Sequence, residues 1–181
     1  MTSSTASKPP PLKDRRVLVA VEQPQSQRFL LDLCRSLGIV ETAVVQTADQ
    51  ALSRLDYAPF DILICAWTRM LDAPDLTRRI RKHITHDVKR TRIIILRAEA
   101  TGADVIAVRD SGADEFIAMP LSQGSFQSAL QRVATTPQYF VEGSKYKGPS
   151  RRRRKLAWEN ERRQAEASGQ VAQSKEDGLD P

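Results

Sequence analysis

The chain has no short-spaced cysteine pair, no long apolar run and no apolar N-terminal segment, and each absence removes a class of protein. Its two cysteines, Cys34 and Cys65, each lie inside an apolar stretch. Neither a disulfide framework nor a zinc knuckle is therefore indicated, and both thiols are expected to be reduced core residues. The two histidines, His83 and His86, stand three apart, where they could share a helix face. No third ligand accompanies them, so no metal is expected. No stretch approaches the roughly 18 consecutive apolar residues of a membrane span. The opening MTSSTASKPPPLKDRR carries no apolar segment for a signal peptide. These features lead to the expectation of a soluble, cytoplasmic protein with no membrane partner.

At 181 residues with 40% apolar side chains, the chain can fill one core of ordinary size and leave tails over. The formal charge of +6 is unevenly distributed. Lys145 to Lys155 holds seven basic residues and no acid, and Thr77 to Arg97 holds eight Lys or Arg against Asp87 alone. Such a balance allows an anionic partner without specifying a fold.

Residues 1–14, rich in Ser, Thr and Pro, read as a flexible arm. Val17 to Val21 is a β-branched apolar run suited to a strand buried on both faces. Pro24 opens a helix whose Phe29, Leu30, Leu33, Cys34 and Leu37 recur at helical spacing up to Gly38. Strands are expected at 42–46, 61–67, 92–96 and 116–118, and helices at 48–55, 75–84, from Thr101 through 110, and from Ser122 onward. Strict alternation of strand and helix indicates a parallel sheet covered on both sides. Five such units in residues 15–136 correspond to a flavodoxin-like, doubly wound α/β fold with strand order 2-1-3-4-5. Beyond that, 137–181 reads as a basic tail: PQYFVEGSKYKGPS is loop-like, Arg151 to Ala167 can form a short helix, and the final residues look disordered.

The block from Arg16 to about Val133 resembles the receiver domain of two-component response regulators. VLVAVEQP at the first strand, DILICAW at the third, RIIILRA at the fourth and VRDSGADEFIAMPLS through the fifth carry the match. The resemblance implies a site where acidic residues ending the first and third strands hold a divalent cation. There the third-strand aspartate accepts a phosphoryl group, assisted by a Thr or Ser ending the fourth strand and a Lys before the fifth-strand proline. Transferred to this sequence, the acidic pair falls on Val21 and Glu22, and the phosphoacceptor on Ala66. The hydroxyl falls on Arg97 and the lysine on Met119, before Pro120. Phe116 alone is retained, as the switch aromatic. The resemblance is thus to a degenerate pseudo-receiver without the phosphoacceptor.

One carboxylate beside a fixed arginine cannot assemble an oxygen-rich magnesium site, so neither metal nor cofactor is expected. Arg97 is expected to reach over the small Ala66 toward Glu22, the alternative being that it points to solvent. Asp72 lies in the loop and Asp61 at the wrong end of its strand, so neither is expected to substitute for the phosphoacceptor. Arg78, Arg79, Arg81, Lys82 and His83 read as a solvated basic face.

The expected function is a non-enzymatic signalling module of a bacterial two-component or phosphorelay system, independent of phosphorylation and acting by protein contact. Its partner would be a kinase, another regulator or a second copy, meeting Phe116 and the surface of the last two helices. The alternative is a nucleic-acid-binding adaptor that uses Arg151, Arg152, Arg153, Arg154, Lys155 and Trp158, a run combining charge with a stacking surface.

Overall fold

The three most apolar runs form the middle of the sheet. In a computed structural model, which describes residues 12–136, 138–143 and 146–150, every residue of β1 (Val17–Ala20) is buried. In β3 (Ile62–Ala66) and β4 (Arg92–Arg97) only terminal residues are partly exposed. With β2 (Thr42–Val45) and β5 (Glu115–Ala118) at the edges, the order is β2-β1-β3-β4-β5, all parallel. This is the flavodoxin-like order expected from the alternation of elements.

Side chains alternate across each strand, so the central strands feed two cores. Val17, Val19, Ile62, Ile64, Ile94 and Leu96 pack on one face, against α1 (Pro24–Ser36) and α6 (Gln123–Thr135). Leu18, Ala20, Leu63, Cys65, Ile93 and Ile95 pack on the other, against α2 (Ala48–Tyr57), α3 (Ala73–Arg81) and α5 (Gly102–Ser111). Both cysteines are buried and free. Burial pushes the Cys34 thiol up to about 11 and raises that of Cys65 as well. Thr47, Asp72, Thr101 and Ser122 cap their helices through side-chain oxygens. Gly112 ends α5 at φ +92, a left-handed conformation that glycine adopts without strain. No helix among the described residues is long and apolar enough to cross a membrane.

Three local expectations require correction. First, the helix expected over 75–84 stops at Arg81, and a second short helix, α4 (His86–Arg90), follows. His83 and His86 therefore do not share a helix face. The Nε2 of His83 lies 2.9 Å from Asp56, and its Nδ1 accepts the Thr85 N–H.

Second, Arg81 does not belong to a solvated face. Its side chain is 1% exposed. It donates from Nε to the Gly112 carbonyl at 2.9 Å, from Nη1 to the carbonyls of Lys89 and Thr91 at 2.7 Å each, and from Nη2 to Asp114 at 2.8 Å. Burial pulls its pKa below the usual value, and Asp114 opposes that shift.

Third, the segment read as loop after residue 136 contains a two-stranded antiparallel ribbon, β6 (Phe140–Glu142) and β7 (Lys147–Pro149). The compact unit accordingly runs through Pro149, past the boundary expected at 136. Of the arm expected over 1–14, Leu12–Asp14 instead form a 3-10 turn with Leu12 packed against the α1/α6 core; residues 1–11, the expected helix over 151–167 and the basic run Arg151, Arg152, Arg153, Arg154, Lys155 and Trp158 lie outside the described residues.

Removing one partner of a buried, hydrogen-bonded ion pair leaves the other charge uncompensated, at a cost of about 3–5 kcal/mol. Asp114→Ala is accordingly expected to lower unfolding stability in a urea titration by that amount. Arg78→Ala, on the exposed side of the same helix, should change it by less than about 0.5 kcal/mol.

Candidate functional site

The carboxyl ends of β1, β3 and β4 meet where the receiver resemblance locates its chemistry. Register brings them level: Ala20 pairs with Cys65, Ala66 with Leu96 and Arg97 with Ala118. Val21 is buried, and its N–H donates to Val45, continuing the sheet edge. It supplies only methyl groups. Ala66, partly buried against the α1/α6 core, ends β3 with no nucleophile. Met119 is 40% exposed and follows β5, its N–H donating to the Arg97 carbonyl at 2.8 Å.

Glu22 is the one carboxylate contributed by the transferred positions. It accepts a hydrogen bond from the Thr68 hydroxyl at 2.9 Å. That hydroxyl oxygen in turn accepts the N–H groups of Met70 and Leu71, holding the turn between β3 and α3. Gln27 donates to the carbonyls of Val21 and Glu22, which steadies the chain entering α1.

Arg97 neither reaches over Ala66 toward Glu22 nor points freely to solvent, which corrects both expectations. Its guanidinium lies over the Trp67 ring, 4.4 Å from the centroid. Nη1 donates to the Trp67 carbonyl at 3.3 Å, and Nη2 sits 3.7 Å from Asp104 at the start of α5. Strand alternation explains the choice. Arg97 follows Ile93 and Ile95 on the α2/α3/α5 face of the sheet, whereas Ala66 faces the other core. One step beyond the pair Ala66 and Leu96, Trp67 and Arg97 are cross-strand neighbours on a common face. The parity of the two strands is a sequence signal for Trp67, whereas Thr68 and Asp104, in loop and helix cap, carry none that points to this site. The Arg97 Nε is buried with no hydrogen-bond partner among the described residues, a cost that the aromatic contact helps to offset.

The residues present do not fit a divalent cation. Glu22 is engaged by Thr68, Ala66 offers no side-chain oxygen, and a guanidinium occupies the neighbouring strand end. Among the described residues, no group of three His, Cys, Asp or Glu could hold a metal ion. A magnesium site needs several oxygen ligands in octahedral array.

Asp72 lies near enough to this end for its charge, with that of Glu22, to act on Cys65 in β3, but it serves the next helix. Asp72 accepts the Asp75 N–H as the cap of α3. Asp61 accepts from Arg15 and the Arg16 N–H at the opposite end of the sheet. Phe116 is half-buried and packs, like Trp67, against the α2/α3/α5 core.

Asp104 closes the network. Hydrogen bonds from the Thr101 N–H and hydroxyl, with Arg97 nearby, hold its carboxyl below the usual carboxylate value. A carboxyl depressed on folding contributes stability that is fully present above the unfolded value of 3.8 and is lost as pH falls through the lower folded value. The capping box of α5 should therefore keep constant amide protection at Asp104 near neutrality and lose it only below about pH 4. Arg97→Ala should red-shift Trp67 emission already at neutral pH, most cleanly read in a Trp158→Phe background.

No family model matches the chain. Chemotaxis protein CheY-3 of Vibrio cholerae is 22% identical over 122 residues, covering 67% of this chain and 92% of that protein. Among solved structures, the receiver domain of the sensor histidine kinase PA1611 of Pseudomonas aeruginosa superposes with a TM-score of 0.60 at 25% identity. It covers 67% of this chain and 98% of its own, and holds a magnesium ion coordinated in its active-site cleft. A response-regulator candidate from Chloroflexus aurantiacus gives a TM-score of 0.62 at 21% identity, covering 67% of this chain and 98% of that one. Over about two thirds of its length the chain therefore has the five-stranded fold of these receiver domains and is similar in sequence, at low identity, to CheY-type proteins.

Proposed function

We propose that this receiver-like domain is a signalling module of a bacterial two-component or phosphorelay system, working in the cytoplasm by protein contact and independently of phosphorylation. The observation that carries the reading is the contact between Arg97 and Trp67 at a strand end where Ala66 supplies no phosphoacceptor. A phosphoryl group in transit needs a nucleophile, and cationic groups aimed at its oxygens. Here the cation lies against an aromatic ring and a carbonyl, and Glu22 is held by a hydroxyl. Together these contacts tie the turn after β3 to the start of α5 without a ligand, leaving partner binding to set the working state.

The contact region we favour is α5, β5 and α6. An amphipathic helix covering a sheet normally shows water a polar face. On α5, however, Val105 and Ile106 are 50% and 52% exposed, and Met119 beyond β5 is 40% exposed. Phe116 lies between this surface and the core. The occupant would be a kinase, another regulator or a second copy of the chain.

Incubation of the full chain with acetyl phosphate and magnesium should yield no acid-labile phosphate; stoichiometric labelling would contradict the reading. Ile106→Glu, at an exposed position that should not cost more than about 0.5 kcal/mol of stability, is expected to abolish capture of the native partner or of a second copy in a pulldown. Glu substitution at Val40, equally apolar but on the far edge of the sheet and 75% exposed, should leave capture intact.

A further inference from the structure

The ribbon β6–β7 lies outside the receiver resemblance, yet it is docked at a definite place. Gln138 donates to Asp114 at 3.0 Å, and Arg92 donates to the Thr136 carbonyl at 2.8 Å. The Phe140 ring receives the guanidinium groups of Arg81 and Arg90, 5.9 and 5.6 Å from its centroid. Lys89 pairs with Glu142. Backbone meets backbone at two glycines: a Cβ on Gly148 would fall 3.1 Å from the Gly112 Cα and 2.8 Å from the Tyr146 hydroxyl. That hydroxyl donates to the Pro149 carbonyl and folds the ribbon on itself.

All of these partners surround Arg81 at the amino ends of β4 and β5, the pole opposite Glu22 and Arg97. The contacts named are polar, cation–aromatic and backbone in kind. Tyr139 and Val141 are 46% and 43% exposed. Such a segment opens at lower free energy than the core it lies on. When it opens, Arg81 loses Phe140 and the cover of Gly148, and Asp114 loses Gln138.

We propose that the ribbon β6–β7, with Gln138, forms a releasable strap that controls access of water to the Arg81–Asp114 pair. The inference holds whichever partner the domain takes. Asp114 stands two residues ahead of Phe116, and its carboxylate accepts the Ile93 N–H at 2.8 Å. Strap and strand ends are therefore joined through one side chain.

Amide and guanidinium hydrogen exchange on the full chain tests the idea. Gly148→Val and Phe140→Ser should each cut protection of the Arg81 Nε–H, which donates to Gly112, and of the Ile93 N–H by about tenfold or more. Protection of the Leu71 N–H, bonded to Thr68 at the opposite pole, should stay within about twofold. Glu142→Lys, which reverses an exposed ion pair and leaves the core intact, should give the same pattern with smaller amplitude. Two results would overturn the proposal: unchanged Arg81 and Ile93 protection in variants whose Gly143 N–H, bonded to Tyr146, has lost its own, or an equal loss at both poles, which would mean general destabilisation.

Discussion

A guanidinium removed from water sets the terms for one whole end of this molecule. Taking a charge out of water costs several kcal/mol even after relaxation. Arg81 is tolerable because each nitrogen of its guanidinium finds a partner, among three carbonyls and the Asp114 carboxylate. Those acceptors come from the turn after α5, from the end of α4 and from the residue before β4. The requirement to satisfy one side chain thus fixes three connections at once. It also explains why a segment beyond the receiver-like block returns to cover that end. Phe140 and Gly148 complete an enclosure that the five strand–helix units leave unfinished.

At the other end the governing constraint is strand alternation. Parallel strands with consecutive residues on opposite faces give Arg97 and Ala66 different cores, whatever the charges nearby. The guanidinium can meet Trp67 and Asp104, and it does; the carboxylate of Glu22 takes the nearest hydroxyl. Each polar group of the resembled phosphoryl site that remains is thus engaged by a neighbour in the same or the adjacent loop. On the proposed reading, Val21, Ala66, Arg97 and Met119 belong together, at a strand end organised around the contact of Arg97 with Trp67.

Much of this was readable from residue order. The runs VLVAV, DILICAW and RIIIL are too apolar to be anything but central strands, and Thr101, Gly112 and Ser122 mark helix ends by mechanisms that operate locally. What could not be read depends on contacts between distant segments. Arg81 sits among Arg78, Arg79 and Lys82, and only the packing of α3 against α5 separates it from them. The ribbon of FVE paired with KGP carries a short, weak strand pattern whose anchors, Asp114 and Gly112, lie far back in the chain. At Arg97 charge complementarity alone suggests Glu22, whereas the period of two places Trp67 on its face of the sheet.

The central claim is that the carboxyl end of the sheet is closed by its own side chains and takes no divalent cation. Trp67 reports on that end directly, because Arg97 lies on its ring. In the full chain with Trp158→Phe, titration with magnesium through the millimolar range should leave Trp67 emission flat. A saturable change in emission that disappears in Glu22→Gln would show a working cation site and contradict the account.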